Sequence, residues 1–293
     1  MRETERMQNN SPIHYPKITR AFIYVLVILL GIQCVVHAQT AGDYYRMGVN
    51  KAKANDLRAS ILALDTAIQM NPSYTEAYEN RAHLKMGLKD YRGAIEDFTA
   101  AIKMEPDNSF LYYNRALCFF NLDDLKNSRL DIDLAIRLKA DFSDSYNARA
   151  VIKFHIADFK GSKDDLDTCL TLNPNNENGF YNRGKAKAAL KDYPGAIKDL
   201  DKAMELSPDR KDVYFQVYNN RGICELNLNE YALAIADFNT TLAMNPTYRE
   251  AYCDRGLAEI HSSKKTLGCA DLKKASEMGS NNAKAAITSY CKF

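Results

Sequence analysis

Within residues 177–210, ENGFYNRGKAKAALKDYPGAIKDLDKAMELSPDR, apolar residues fall at helical spacing in two short runs on either side of a polar turn at Lys191-Asp192. The first run sets Phe180, Gly184 and Leu190 on one stripe, and the second sets Ala196, Leu200 and Ala203 at i, i+4 and i+7. Asp192 is placed to cap the second helix, and Pro194 suits its first turn, where a missing N–H costs no intrahelical bond. Pro208 ends that helix, because its ring cannot continue the ladder. The small residues Gly184, Ala196 and Ala203 allow close approach, so the spacing predicts an antiparallel helical hairpin.

The hairpin pattern returns with a period of 34, at about 41–74, 75–108, 109–142, 143–176, 177–210, 215–248 and 249–280. An aromatic recurs in the first helix at Tyr44, Tyr78, Tyr112, Tyr146, Phe180, Tyr218 and Tyr252. A small residue opens the second at Ser60, Ala94, Ser128, Ser162, Ala196, Ala234 and Gly268, and Pro72, Pro106, Pro174, Pro208 and Pro246 close it. These positions resemble the tetratricopeptide repeat family from residue 41 to the C-terminus. The resemblance implies an all-α, right-handed superhelical solenoid of about seven helix-turn-helix units over 39–293. A C-terminal capping helix is expected at 281–291, over the apolar face that the last repeat leaves open. Four extra residues between Pro208 and Tyr218 break the period once, and the reading there is a sixth repeat that starts with an extra helical turn over 211–218.

The first 38 residues are of another kind. Arg2, Arg6, Lys17 and Arg20 precede a sixteen-residue apolar run, Ala21 to Val36, which leads into Val36-His37-Ala38. That order reads as a signal peptide over 1–38 cleaved before Gln39, with an uncleaved anchor at 21–36 as the alternative. The repeats are then exported, periplasmic or extracellular, and meet a membrane only if the segment is uncleaved. The segment carries four of the 39 basic and two of the 37 acidic residues, leaving 35 of each. A mature chain without net charge or a basic run is a poor nucleic-acid binder. Six cysteines remain. Cys118, Cys169 and Cys224 read as small buried hydrophobes, and Cys253 has no obvious partner. Cys269 and Cys291 lie ten residues before and twelve after Gly279, level on antiparallel helices, and are expected to form a disulfide in an oxidising compartment.

Two further residue types recur. Arg81, Arg115, Arg149, Arg183, Arg221 and Arg255 occupy the seventh repeat position, and Asp97, Asp131, Asp165, Asp199, Asp237 and Asp271 the twenty-third. With the turn near position 15 these lie at equal height on facing helices, which predicts six structural ion pairs and leaves the arginines poor ligand hooks. The first repeat has Met47 and Ala63 instead. Asn80, Asn114, Asn182 and Asn220 directly precede four of the arginines. The resemblance implies that such asparagines form an inner ladder on the concave face against a bound chain; bonding to a neighbouring helix or to water is the alternative. Tyr113, Tyr181, Phe154 and His155 are expected on the same face as peptide contacts.

No catalytic constellation stands out. His83, His155 and His261 sit on different repeats, no cysteine–histidine cluster has metal-ligand spacing, and no glycine loop would cradle a phosphate. The expectation is therefore no catalysis, no metal and no cofactor. The chain is expected to act as a protein–protein interaction scaffold binding an extended peptide or a helix of another protein in its concave groove. The alternative is a structural subunit of an envelope-associated assembly that docks through its convex face or its ends.

Overall fold

The structure, a computed structural model, describes residues 39–206 and 214–291. The expected signal or anchor at 1–38, the helix stop at Pro208 and residues 211–213 of the expected extra turn lie outside them. Fifteen helices make up the described residues, and no strand occurs among them. A first unit, ending at Pro72, holds α1 (Ala41–Lys53) and α2 (Leu57–Met70), packed as an antiparallel pair. A second unit, starting at Ser73, holds six more pairs: α3 (Thr75–Gly87) with α4 (Tyr91–Met104), α5 (Ser109–Asn121) with α6 (Leu125–Leu138), α7 (Ser143–His155) with α8 (Phe159–Leu172). It continues with α9 (Glu177–Ala189) and α10 (Tyr193–Leu206), α11 (Phe215–Asn227) and α12 (Tyr231–Met244), α13 (Arg249–His261) and α14 (Lys265–Glu277), and ends in the single helix α15 (Asn281–Tyr290). Within the described residues α11 is 13 residues long, no longer than α9 or α13.

Each pair closes around one large side chain of the second helix. Leu64, Phe98, Ile132, Leu166, Leu200, Phe238 and Leu272 are fully buried there, beside the small Ala67, Ala101, Ala135, Cys169, Ala203, Thr241 and Ala275. The helices cross where small residues meet, and Ser60 and Ser128 donate across that crossing to the carbonyls of Gly48 and Ala116 at 2.7 and 2.9 Å. The last pair is tightest: a Cβ on Gly268 would come within 2.4 Å of the Gly256 carbonyl oxygen, so only glycine fits. Leu190 does not join the core stripe; it follows α9 as its C-cap and is 42% exposed.

All seven turns share one backbone device. Asn55, Lys89, Asp123, Ala157, Lys191, Asn229 and Ser263 take φ between 59° and 66°, the left-handed region that favours glycine. At Ala157 the N–H bonds the Phe154 carbonyl and the next N–H, of Asp158, reaches back to Lys153, the pattern that ends a helix at a left-handed residue. The following residue starts the second helix: Asp56, Asp90, Asp124, Asp158 and Asp192 each accept from the N–H three residues on. Glu230 and Lys264 stand at this position in the last two repeats without such a bond.

The second unit is stapled by arginines. Arg81, Arg115, Arg149, Arg183, Arg221 and Arg255 each hold both carboxylate oxygens of Asp97, Asp131, Asp165, Asp199, Asp237 and Asp271, through Nε and Nη2 at 2.6–3.0 Å. Each guanidinium also stacks 5.4–5.7 Å over the aromatic one turn earlier, Tyr78, Tyr112, Tyr146, Phe180, Tyr218 or Tyr252. Its remaining Nη1 reaches the preceding repeat: Arg115 to Thr99, Arg149 to Asp133, Arg183 to Asp167, Arg221 to Asp201 and Arg255 to Asn239. These bonds hold the pKa of the guanidiniums of Arg115, Arg149, Arg183, Arg221 and Arg255 above its ordinary value, with the bidentate aspartate as the main cause.

One position beside the clamp changes character along the chain. Lys85, Lys153 and Lys187 add a second cation to Asp97, Asp165 and Asp199 at 2.7–2.8 Å. Glu225 and Glu259 occupy that position in the last two repeats, and each has a buried Oε2 without a hydrogen-bond partner. Glu225 is only 6% exposed; burial, reinforced by the charge of Asp237, pushes its carboxyl up to about 7. Burial raises that of Glu259 in the same sense.

At the C-terminal end α15 packs on α14 and touches α13. Ser280 caps it by accepting from the Ala283 N–H, and Gly279 turns the chain at φ 91°. Cys269 on α14 is bonded to Cys291 just past α15, with Cα atoms 5.8 Å apart. Cys118, Cys169, Cys224 and Cys253 are buried free thiols, and burial pushes the first three up to about 12, 11 and 12.

Two stability outcomes follow from this geometry. Ala157→Gly relieves a left-handed alanine, which amounts to ~1 kcal/mol, and should raise the melting temperature by about 2–4 °C; an unchanged or lower melting temperature contradicts the strain. A carboxyl that titrates higher in the folded chain than in the unfolded one favours folding while protonated. The chain should therefore lose stability as pH rises from Glu225's ordinary 4.5 to about 7, and stay level above that. Glu225→Gln should reduce that slope, leaving the part due to Glu259 and Asp254, and raise the melting temperature at pH 8 by ~2–4 °C; an unchanged slope assigns it elsewhere.

Candidate functional site

In the second unit the first helices of successive repeats touch one another: α5 with α7, α7 with α9, α9 with α11 and α11 with α13. The second helices of successive repeats show no comparable approach. The stack therefore bends around its first helices, whose outward residues line its inner side.

Repeats three to six present three successive recesses on that side. Tyr113, Leu117 and Phe120 of α5 face Asn147, Ala148, Val151 and Ile152 of α7 across an apolar recess floored by Ser128 and Ile132. The next recess lies between α7 and α9, lined by Val151, Phe154 and His155 on one side and Asn182 and Lys185 on the other. Val151 borders both, so the two recesses are adjacent. A third lies between α9 and α11, where Glu177, Asn178 and Tyr181 face Gln216 and Val217.

Packing fixes the aromatics of this line. The ring of Tyr113 lies 4.9 Å from Phe142, His155 stands edge-on to Phe120 at 5.0 Å, and Phe154 stands edge-on to Phe159 at 5.1 Å. Burial, with the charge of Asp144 adding to it, pushes the Tyr113 hydroxyl up to about 12, so the phenol stays neutral. The Tyr181 hydroxyl donates to Gln216 Oε1 at 3.3 Å and accepts from Asn220 at 3.1 Å, which ties α9 to α11.

The four asparagines do not form one free row. Asn80, Asn114 and Asn220 donate back to the carbonyls of Glu76, Phe110 and Gln216 on their own helices at 2.8–2.9 Å. Asn182 instead donates to Asn147 Oδ1 at 2.9 Å, across to α7. Asn114 and Asn182 each keep a second Nδ2 hydrogen, so contact with a bound chain is compatible with their bonds, whereas Asn220 spends both hydrogens, on Gln216 and Tyr181. Asn182, Phe154 and His155 meet around one recess and Tyr113 lines the next, whereas Asn80 lies on α3 and Asn220 on α11, beyond both. Asn147, Val151 and Lys185 share the line, and the recurring residue types did not single them out. The available signal was their phase: Asn147 falls at the repeat position of Tyr113 and Tyr181, and Val151 and Lys185 lie one turn later on the same face. Among the described residues, no group of three or more histidine, cysteine or acidic side chains could hold a metal ion.

The tetratricopeptide repeat model matches residues 79–141 and 181–249. No curated protein matches the chain. Among solved structures, the chain is similar to YrrB, described as a tetratricopeptide repeat protein with an unusual peptide-binding site: TM-score 0.55, 20% identity, covering 65% of this chain and 97% of that one. It is also similar to a tetratricopeptide repeat protein of Parabacteroides merdae, with TM-score 0.64, 16% identity and coverage of 86% and 98%. Against a chain of the anaphase-promoting complex assembly Cut9–Hcn1 the TM-score is 0.71 at 15% identity, and the match covers 92% of this chain and 53% of that one. With the 34-residue period and the small-residue crossings of each pair, the two matched stretches show tetratricopeptide repeats, and the described helices carry the fold of a tetratricopeptide repeat solenoid.

Proposed function

We propose that this protein, a protein–protein interaction scaffold by its fold, binds an extended segment of a partner along the first helices of repeats three to five and does so without catalysis. The succession of unlike recesses on either side of Val151 carries this reading. An extended chain repeats its side chains at ~6.6 Å on one face, so successive recesses on neighbouring helices can take residues of one strand-like segment. Aromatic walls fixed by packing supply contact area at low entropic cost. The arginines are unsuited to this task, being held by the aspartates of their own and neighbouring helices. The peptide-binding site ascribed to the similar YrrB points the same way.

The test is affinity capture from an extract of the protein's own cells, comparing the unaltered chain with Phe120→Ala/His155→Ala. Truncating two groove side chains at a hot spot should cost ~2 kcal/mol, a thirtyfold loss of captured partner, with helicity unchanged. Leu130→Ala, an exposed residue of α6, is the control and should bind as before. Retention of the partner by the groove variant, or its loss with Leu130, refutes the reading.

We further propose that the repeats work outside the cytoplasm. The apolar run after Arg20 and the pairing of Cys269 with Cys291 support this. The mature chain should start at Gln39, and alkylation after denaturation should tag four of its six cysteines without reductant and six with it. A chain that starts at Met1 while keeping the disulfide indicates the anchored form, and six tags without reductant refute the oxidising compartment.

A further inference from the structure

One turn after each clamp arginine, the same place holds different chemistry along the second unit. In repeats two, four and five it is Lys85, Lys153 or Lys187, which meets the aspartate of the second helix at 2.7–2.8 Å. The same ammonium approaches the carbonyl of Gly93, Gly161 or Gly195 at 3.3–3.5 Å. In repeat three it is Phe119, whose ring lies 5.9 Å from the Arg115 guanidinium. In repeats six and seven it is an acid, Glu225 or Glu259.

An acid there reverses what the crossing receives. A lysine brings a charge opposite to the aspartate and hydrogens for two acceptors, whereas an ionised glutamate brings a like charge and no hydrogen. Glu225 is buried and Glu259 half-buried, and each keeps an Oε2 shut off from water with no hydrogen-bond partner. Such an acceptor is costly, and more so when it carries charge. Around Glu225, Asp237 of α12, Glu230 at the head of α12 and Asp201 of α10 carry like charge; the one cation, Arg221 of its own helix, is already bonded to Asp237 and Asp201. Around Glu259 the like charge is Asp271 of α14, and the cations are Arg255, held by that aspartate, and Lys264 at the head of α14. Burial is the main cause that raises both carboxyls.

We infer that Glu225 and Glu259 are proton-operated latches that close the last two helical pairs. Protonated, each carboxyl offers its hydrogen toward the aspartate of the facing helix, Asp237 or Asp271, as the lysine does in earlier pairs. Ionised, having released that proton to solvent, it sets a second anion beside the aspartate, and α11–α12 and α13–α14 open more often. A carboxyl held protonated in the closed pair favours closure in full below its ordinary 4.5, and for Glu225 that contribution is gone above about 7. Repeats contact only their neighbours, so the pairs that carry lysine stay closed over the same range. Because α11 also walls the recess lined by Gln216 and Val217, the opening reaches the inner side there and spares the recesses bordering Val151. The latches work whatever those recesses hold.

Amide hydrogen exchange on the full chain, helix by helix at pH 5.5 and 8.0 and corrected for intrinsic rates, reads this directly. Protection of α11–α14 should fall at least tenfold between the two, and that of α3–α10 less than twofold. Glu225→Lys/Glu259→Lys, which restores the residue of the earlier pairs, should keep α11–α14 protected to within twofold at both pH values. Glu225→Gln/Glu259→Gln supplies hydrogens without charge and should do the same, and it decides the matter if the lysine variant fails to fold. Asp254→Asn removes another carboxyl of α13 that burial raises, and should leave the tenfold loss in place. Equal protection of the unaltered chain at both pH values overturns the latches. So does a loss spread evenly over all helices, one that persists in the double variants, or one that vanishes with Asp254→Asn.

Discussion

Six guanidinium groups set the geometry of the second unit. Each ties three helices: it is carried on the first helix of a pair, grips the aspartate of the second with two bonds, and, from Arg115 onward, spends its last nitrogen on the pair before. Bidentate, charge-assisted bonds are the strong kind, yet much of their gain is offset by taking both partners out of water. Their main effect is on register. The joint at Arg221 makes this visible, because its bond to Asp201 spans 20 residues where the equivalent bonds span 16. Four additional residues are thus accommodated without shifting the phase of the next pair.

Holding register in this way leaves the inner face free to vary. Residues repeated from pair to pair are absorbed by the crossings, the aromatic-backed arginines and the aspartate caps. What changes from one first helix to the next is the inward row: Tyr113 and Leu117, then Asn147 and Val151, then Tyr181 and Lys185. An array of identical units presents the same chemistry everywhere, and it is this departure from identity along a fixed frame that makes the inner face differ from one repeat to the next.

The architecture was legible because a 34-residue period repeats the same local choices seven times, and local choices are what sequence patterns report. The Arg–Asp spacing could be read for the same reason, since equal height on two helices follows from a known turn. Features that depend on a neighbour outside the repeat were not legible. The partner of each Nη1 lies one repeat back, at a position held by Thr99, Asp133, Asp167, Asp201 and Asn239, which share no single side-chain type. The left-handed turn residues carry no glycine to announce them, and Ala157 least of all. Three of the asparagines bond back along their own helices, a competition between peptide-like partners that residue type alone does not decide. Lys185 looked like any solvated lysine until the rings of Phe154 and Tyr181 were seen around it.

The uneven chemistry of those inter-repeat nitrogen contacts also makes the array mechanically graded. At Asp133, Asp167 and Asp201 the arginine meets a charged acceptor, while at Thr99 and Asn239 the acceptor is neutral and the bond weaker. Under tension applied at its two ends, such a chain of springs in series yields at the outer links while the middle three stay shut. The stiffest portion coincides with repeats three to six, which carry the recesses. A load borne by the second unit would therefore be relieved at its periphery, sparing the central segment that carries the recesses.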